Sequence, residues 1–225
     1  MSQVLNSGGR ACYDGAVHTR GAQTRQTILE AAIVRFGRDG YRSTSIADIA
    51  RDAGVGSTIT YAYFPNKEAL FLAAIDEDAA AVIQIGMSGV LENLGDRAWR
   101  QTLIFTLFGA IDAHPLARRV LAGLEPDVTD RVLDIPALNE LRSACAERIR
   151  AEQLTGLVRA DIDPVSIGNG VVAIMLSLMM SVVQIGQATA LTYARDVAAV
   201  FEAALDNTPL LRERANSPRR ETTVW

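Results

Sequence analysis

The chain has 225 residues, of which 49% are hydrophobic, 21% charged and 6% aromatic. This composition supports a large apolar core and excludes a mainly disordered, collagen-like or disulfide-framework chain. The two cysteines, Cys12 and Cys145, are too few and too far apart for a metal cluster. No apolar segment follows a basic start as in a secretory signal, so we expect a cytoplasmic protein without cofactor or metal.

The net charge of −4 hides an asymmetry along the chain. Residues 1–70 carry 8 Lys+Arg against 6 Asp+Glu, whereas residues 71–225 carry 14 against 20. A mildly basic head on an acidic body is compatible with a head that approaches phosphates, although the excess is small.

The first helical pattern begins at Arg25, with Thr24 as its N-cap, and closes at Gly40, where positive φ costs least. Residues 1–19 show no period and are expected to form a mobile arm. The apolar positions of the helix recur at helical spacing: Ile28, Leu29, Ala32 and Phe36.

Two short helices and one long helix follow. Thr44 and Ser45 start a helix that ends at Gly54, and another extends from about Ser57 to Phe64, before Pro65. Helices this short are marginal alone, so they must share one small core with the first helix. A longer helix begins near Asn66 and is expected to reach about Ile83.

The remainder reads as helices separated by prolines. No segment alternates with period two over a useful length, so the predicted fold is all-α without a sheet. Residues 209–225 are Arg-rich and patternless, which is typical of a flexible tail. The further helices are Trp99–Ala113, Pro115–Gly123, Ile135–Leu154, a segment after Pro164, and Leu191–Leu205.

The pair of short helices around Gly54-Val55-Gly56 has the pattern of a helix–turn–helix. The tight turn needs a residue that tolerates positive φ, and the second helix would enter the DNA major groove. An ordinary αα-hairpin in a bundle fits the spacing equally well.

Residues 20–75 resemble the N-terminal domain of the TetR family of one-component transcription regulators. The segments that carry this resemblance are Arg25–Ala32, Phe36, Gly40-Tyr41, Thr44-Ser45-Ile46, Ile49-Ala50, Ala53-Gly54-Val55 and Tyr61–Leu70.

The resemblance implies a DNA-binding head over 20–68 and a helical effector-binding and dimerisation body over 69–208. It further implies a homodimer on a near-palindromic double-stranded operator, from which a small apolar or amphipathic ligand would release it.

The resemblance also implies the DNA-binding residues. The second helix would be capped at Thr44 or Ser45, close to a phosphate. Tyr61 and Lys67, which is the only lysine of the chain, would bind phosphates, whereas Tyr63 is slightly favoured as a core side chain. The base-reading positions are Gly56, Ser57, Thr58 and Ile59. Ile59-Thr60 departs from the family pattern, so Ile59 either touches a thymine methyl or turns inward.

Residues 164–194 contain no charge and are long enough for a membrane span. The acidic flank at Asp161 and Asp163 without a basic cluster, and a turn signal at Gly186–Thr192, argue against a membrane.

Small and polar residues fall on one side of this segment and bulky ones on the other, so we expect the small side to face a second subunit. These positions are Ser166, Asn169, Gly170, Ala173, Ser177, Ser181 and Gln184, joined by Val197, Val200, Phe201 and Ala204 of the next helix.

The bulky side would face the core and an effector cavity, although each member can equally be plain core. The expected cavity residues are Trp99, Phe105, Phe108, Val171, Met175, Leu178, Met179 and Val182. His114 before Pro115 is interpreted as a helix cap or surface residue rather than a sensor.

No catalytic motif is present: there is no Ser-centred elbow, phosphate-binding Gly-rich loop or metal-spaced His or Cys pair. We therefore predict that the chain is not an enzyme, and the resemblance to the TetR family implies a ligand-responsive repressor. A helical adaptor or a helical enzyme without DNA binding remains the alternative.

Overall fold

The computed structural model describes residues 8–92, 99–128 and 130–205. Within these ranges the chain is helical and forms no sheet, which confirms the all-α prediction. The helices are α1 (Gly8–Ser43), α2 (Ile46–Asp52), α3 (Ser57–Tyr63), α4 (Lys67–Glu92), α5 (Trp99–Ala110), α6 (Pro115–Leu121), α7 (Pro136–Leu154), α8 (Pro164–Ile185) and α9 (Gln187–Leu205). Short 3₁₀ turns occupy Ile111–Ala113, Pro126–Val128 and Asp130–Asp134.

The ends of α1 differ from the prediction on one side only. The helix begins at Gly8 instead of Arg25, because extending an existing helix adds a hydrogen bond for each residue fixed. Thr24 is therefore no cap, and its hydroxyl bonds to the carbonyl of Arg20. Gly40 breaks the helix as predicted, with φ 81° and ψ 168°. Residues 1–7 of the predicted arm and the predicted tail at 209–225 lie outside the described residues.

One small core joins α1 to α4 in the head. Ile28, Leu29 and Phe36 of α1 are buried with Ile49 of α2 and Phe64 after α3. The ring of Phe71 meets that of Phe36 edge-on at 4.9 Å, which brings the start of α4 into the same core. The predicted sharing of one core by the short helices is thus confirmed.

The start of α4 lies where the sequence places it. The Asn66 side chain accepts a hydrogen bond from the Ala69 backbone N–H at 2.7 Å, which caps the helix. The helix then continues to Glu92, beyond the expected end near Ile83, and connects the head to the body.

The body packs α4, α5, α6, α7 and α8 around a shared apolar interior. Gly168 allows α8 to approach α7 closely, because a Cβ there would lie 2.9 Å from the backbone nitrogen of Ala146. By length and hydropathy α8 could cross a membrane, and a third of its apolar window is buried inside the protein. One such helix is weak evidence for a membrane span.

Candidate nucleic-acid interface and effector cavity

The start of α2 is capped by Ser45 and not by Thr44. The Ser45 hydroxyl accepts from the backbone N–H of Asp48 at 3.2 Å and donates to the Asp48 carboxylate at 2.6 Å. This hydroxyl, followed by Arg51, lowers the pKa of Asp48. Thr44 is buried, and its hydroxyl donates to the carbonyl of Gly40 at 2.8 Å. Only Ser45 of the two expected positions therefore offers its side chain to the surface.

Lys67 connects α4 to the turn before α2. Its ammonium donates to the carbonyl of Thr44 at 3.0 Å and lies 4.2 Å from the centre of the Tyr41 ring. No local pattern in the sequence predicts these internal contacts. An ammonium has three N–H groups, so a phosphate contact remains compatible with them.

Helix α3 turns most of its side chains to the solvent. Five of its seven residues are exposed: Ser57, Thr58, Ile59, Tyr61 and Ala62. Ile59 is 46% exposed, whereas Thr60 is fully buried, so the inward alternative for Ile59 does not hold in this conformation. Gly56 is the N-cap of α3 and is exposed. Tyr63 is half-buried and packs against the core, in agreement with the slight preference for a core role.

The turn between these helices has the expected geometry. Gly54 has φ 67°, and the N–H of Val55 bonds back to the carbonyl of Ala50 at 2.9 Å. A capped α2, a tight turn and an outward α3 together define a helix–turn–helix of the kind that reads DNA.

The comparisons with known proteins agree with this interface. Residues 28–74 match the family model described as bacterial regulatory proteins, tetR family. The HTH-type transcriptional regulator YdgC of Bacillus subtilis is 26% identical over 149 residues, which cover 64% of this chain and 73% of YdgC. RutR of Escherichia coli is 40% identical over 67 residues, which cover 27% of this chain and 32% of RutR.

The fold extends the likeness beyond the head. A TetR transcription regulator from Haloarcula marismortui superposes with a TM-score of 0.62 over 82% of this chain and the whole of that chain, at 19% identity. Residues 28–74 thus match the TetR family of transcription regulators, and the described part of the chain has the fold of such regulators. Regulators of this family bind DNA, usually as dimers, and respond to small-molecule ligands.

An apolar cavity of about 60 Å³ lies inside the body, between α4, α5, α6, α7 and α8. Among the described residues, only apolar side chains line it. The lining residues are Ile75, Ala79, Val82, Ile83, Leu107, Ile111, Ala117, Val120, Leu121, Val132, Ile135, Leu138, Leu141, Val172, Met175, Leu176 and Met179.

Only Met175 and Met179 of the eight expected cavity residues line this cavity. Trp99 instead donates to Glu152 at 2.7 Å, beside Arg100, and Phe105 is 53% exposed. Helical spacing shows which residues share a face of a helix but not which face borders a cavity. The sequence pattern therefore did not identify the residues of α4 and α6 that line the cavity. The others also lie elsewhere: Phe108 and Leu178 are buried, Val171 lines a separate cleft, and Val182 is half-buried.

Helix α6 contributes to the cavity wall and is anchored at its beginning. The buried carboxylate of Asp78, on α4, accepts from the backbone N–H groups of Leu116 and Ala117 at 2.9 and 2.8 Å. It also lies 2.8 Å from Nδ1 of His114, the N-cap residue. The predicted cap position of His114 is therefore right, but Asp78 supplies the capping oxygen.

The end of α6 is linked to the head through Glu125. The buried Glu125 carboxylate accepts from Nε of Arg119 at 2.7 Å and from the backbone N–H of Tyr41 at 3.1 Å. Gly40 makes this possible, since a Cβ there would clash with the Arg119 guanidinium and lie 2.9 Å from Glu125. Helix α6, which carries part of the cavity wall, is thus linked through Glu125 to the segment before α2.

The small-residue face of α8 points away from the core. Ser166, Asn169, Ala173 and Ser177 are exposed, whereas Gly170 and Ser181 are half-buried. Gln184 is engaged internally, because its amide donates to the carbonyl of Leu121 at 2.9 Å. On α9, Val200 is 67% exposed and Ala204 is exposed, whereas Val197 and Phe201 pack partly against the core.

The described residues hold no cluster of three or more metal-ligating side chains. Burial raises the pKa of the Cys145 thiol to about 12, so this cysteine stays protonated and unreactive.

Proposed function

We propose that this chain is a dimeric repressor that a small apolar ligand releases from a near-palindromic operator, in the cytoplasm where the chromosome lies. The observation that carries the proposal is the outward α3. A hairpin inside a bundle would bury such a helix, whereas this helix exposes Ile59 and Tyr61 by about half and buries Thr60.

Phosphate binding is assigned to Ser45, Tyr61 and Lys67. Ser45 is at the N-terminus of α2, where backbone N–H groups attract anions. The ammonium of Lys67 lies close to it, because it donates a hydrogen bond to the carbonyl of Thr44, the residue before Ser45. Asp48 brings a negative charge to this end of α2, which Arg51 offsets at 2.5 Å.

The dimer is assigned to α8 and α9. Among the side chains that the structure describes on these two helices, five large apolar ones are exposed: Val165, Ile174, Ile185, Tyr193 and Val200. Burying this surface against a second copy would be favourable, and two helices from each subunit would form a four-helix interface. Such an interface covers the apolar face of α8 without a membrane.

Ligand response is assigned to the cavity and α6. Because the lining residues that the structure describes are all apolar, an apolar ligand suits the cavity better than a charged one. The flexible Met175 and Met179 can yield to a ligand larger than 60 Å³. A ligand pressing on Ala117 and Val120 would displace α6, and with it the contact of Glu125 to the head.

This displacement changes the distance between the two DNA-binding heads of the dimer. Because the two half-sites of the operator lie at a fixed spacing, only a narrow range of that distance allows both heads to bind. A ligand that prefers the displaced state must weaken DNA binding, and DNA must weaken ligand binding by the same factor.

The test is binding of the full chain to duplex DNA selected from a random pool, measured over a range of salt. Affinity should fall steeply with salt, and apolar ligands should release the DNA. In a reporter strain, the bound operator should reduce transcription. Salt-independent or absent binding would instead favour the adaptor alternative.

Two variants test the phosphate contacts. Lys67→Met keeps an aliphatic side chain over the Tyr41 ring but removes the charge. It should weaken binding to all DNA sequences alike and reduce the slope of log affinity against log salt by about one. Tyr61→Phe should also weaken binding to all DNA sequences alike. An unchanged salt slope in Lys67→Met would remove Lys67 from the interface.

A further inference from the structure

The exposed face of α3 lacks the side chains that most often identify bases. The helix reads Ser57-Thr-Ile-Thr-Tyr-Ala-Tyr63 and contains no Arg, Lys, Asn, Gln, Asp or Glu. Guanine is commonly read by a bidentate Arg or Lys, and adenine by a bidentate Asn or Gln. Neither kind of contact can come from this helix.

The described arginines of the head lie on α1 and α2 and not on α3. Four of them are engaged by carboxylates within 3.5 Å: Arg35 by Asp52, Arg38 by Asp39, Arg42 by Asp127 and Arg51 by Asp48. The guanidinium of Arg25 lies over the Phe64 ring, 5.2 Å from its centre.

What α3 does present is hydroxyl and hydrocarbon. Among the described residues, the structure shows no intramolecular hydrogen bond to the hydroxyls of Ser57 and Thr58, so both can bond to a base edge. Ile59 offers an aliphatic side chain that is nearly half exposed, next to Tyr61 and Ala62. In the major groove, the thymine C5-methyl is the apolar feature that such a side chain can recognise.

We infer that α3 reads A·T pairs through the thymine methyl, which packs against Ile59, with Ser57 and Thr58 on neighbouring base edges. The inference rests on the proposed DNA-binding function and specifies which sequences the head selects. The half-site positions beneath α3 therefore carry thymine and are not fixed by guanine.

The experiment uses the full-length protein and the operators selected from a random pool. Thymines beneath α3 are replaced by deoxyuridine, which removes the methyl and keeps every hydrogen-bonding group of the base. The wild type should lose roughly fourfold in affinity per half-site, the value of burying one methyl group. Ile59→Ala should bind thymine and deoxyuridine operators equally.

Ile85→Ala provides the matched control, since Ile85 is 41% exposed on α4 in the body. This variant should keep the full preference for thymine. The inference is overturned if the selected half-sites are fixed by guanine, or if Ile59→Ala loses as much as the wild type on the deoxyuridine operator. Absence of any salt-dependent DNA binding would overturn the proposed function as well, so the two failures are distinguishable.

Discussion

Helices α3 and α8 both have one exposed face, but the hydroxyl groups on the two faces differ in their hydrogen bonding within the described part of the chain. On α8, the hydroxyl of Ser177 donates to the carbonyl of Ala173, and that of Ser181 donates to the carbonyl of Ser177. On α3, within the described part of the chain, the hydroxyls of Ser57 and Thr58 have no such bond.

This difference separates two kinds of binding surface. A serine whose hydroxyl is satisfied by its own helix can pack against an apolar partner without leaving a buried unpaired group. A free hydroxyl instead keeps its bonding capacity for a polar partner. The α8 face thus suits a second protein subunit, whereas the α3 face suits the hydrogen-bonding edges of DNA.

The largest expected effect comes from placing a charge on the α8 face. Ser177→Glu would bring two carboxylates together at the proposed two-fold axis, and like charges there cost several kcal/mol. We expect dimer dissociation to increase by more than about 100-fold, with loss of operator binding, as measured by sedimentation and fluorescence anisotropy.

The control for this change is Leu154→Glu, because Leu154 is 87% exposed at the end of α7. It should stay dimeric. Cysteine cross-linking gives a second readout: Ser177→Cys should yield dimers, and Met175→Cys, whose site is buried, should not. A dimeric Ser177→Glu protein would show that α8 is not the interface.

The next largest effect concerns the contact between body and head. Glu125→Gln weakens a charged acceptor that holds Arg119 and the Tyr41 N–H. We expect a loss of about 1–3 kcal/mol in unfolding free energy and a weaker response of DNA binding to ligand. Asp127→Asn, which removes only an exposed pair with Arg42, should change neither by a measurable amount. Equal effects of the two changes would argue against the role of Glu125.

A smaller effect of opposite sign is expected on the inner side of α3. The Thr60 hydroxyl is buried without a hydrogen-bond partner among the described residues. Thr60→Val should therefore raise the unfolding free energy by about 1 kcal/mol and leave operator affinity unchanged. Thr58→Val on the outer side should do the reverse, lowering affinity with little change in stability. Chemical denaturation and DNA titration of both variants check the pair.

The smallest effect is a titration shift at the start of α2. The Ser45 hydroxyl is the main cause of the lowered pKa of Asp48, so Ser45→Ala should raise that pKa towards its ordinary value. Because the folded pKa is lowered, the associated stability is present above pH 4 or so and is lost as the pH falls through the folded pKa. NMR titration of the Asp48 carboxyl measures the shift. An unchanged pKa of Asp48 in Ser45→Ala would show that Arg51, and not Ser45, is the main cause of the lowered pKa.

Local features of the fold follow directly from the sequence. Gly40 and Gly54 interrupt helices where positive φ is required, and Pro115, Pro136 and Pro164 are the first residues of α6, α7 and α8. The two faces of α8 also follow from helical spacing, since Met175 is buried and Ser177 is exposed. Each of these features depends on a few neighbouring residues.

The sequence by itself thus determined the all-α class, the turn of the helix–turn–helix and the resemblance of the head to the TetR family. Only the tertiary structure decided that Ser45 rather than Thr44 offers its hydroxyl, that Lys67 holds the Thr44 carbonyl, and that Gln184 bonds to Leu121. The physical reason is separation along the chain. Lys67 and Thr44 are 23 residues apart in the sequence, and Tyr41 and Glu125, which share a hydrogen bond, are 84 residues apart. Such partners are chosen by the packing of whole helices, which no local period encodes.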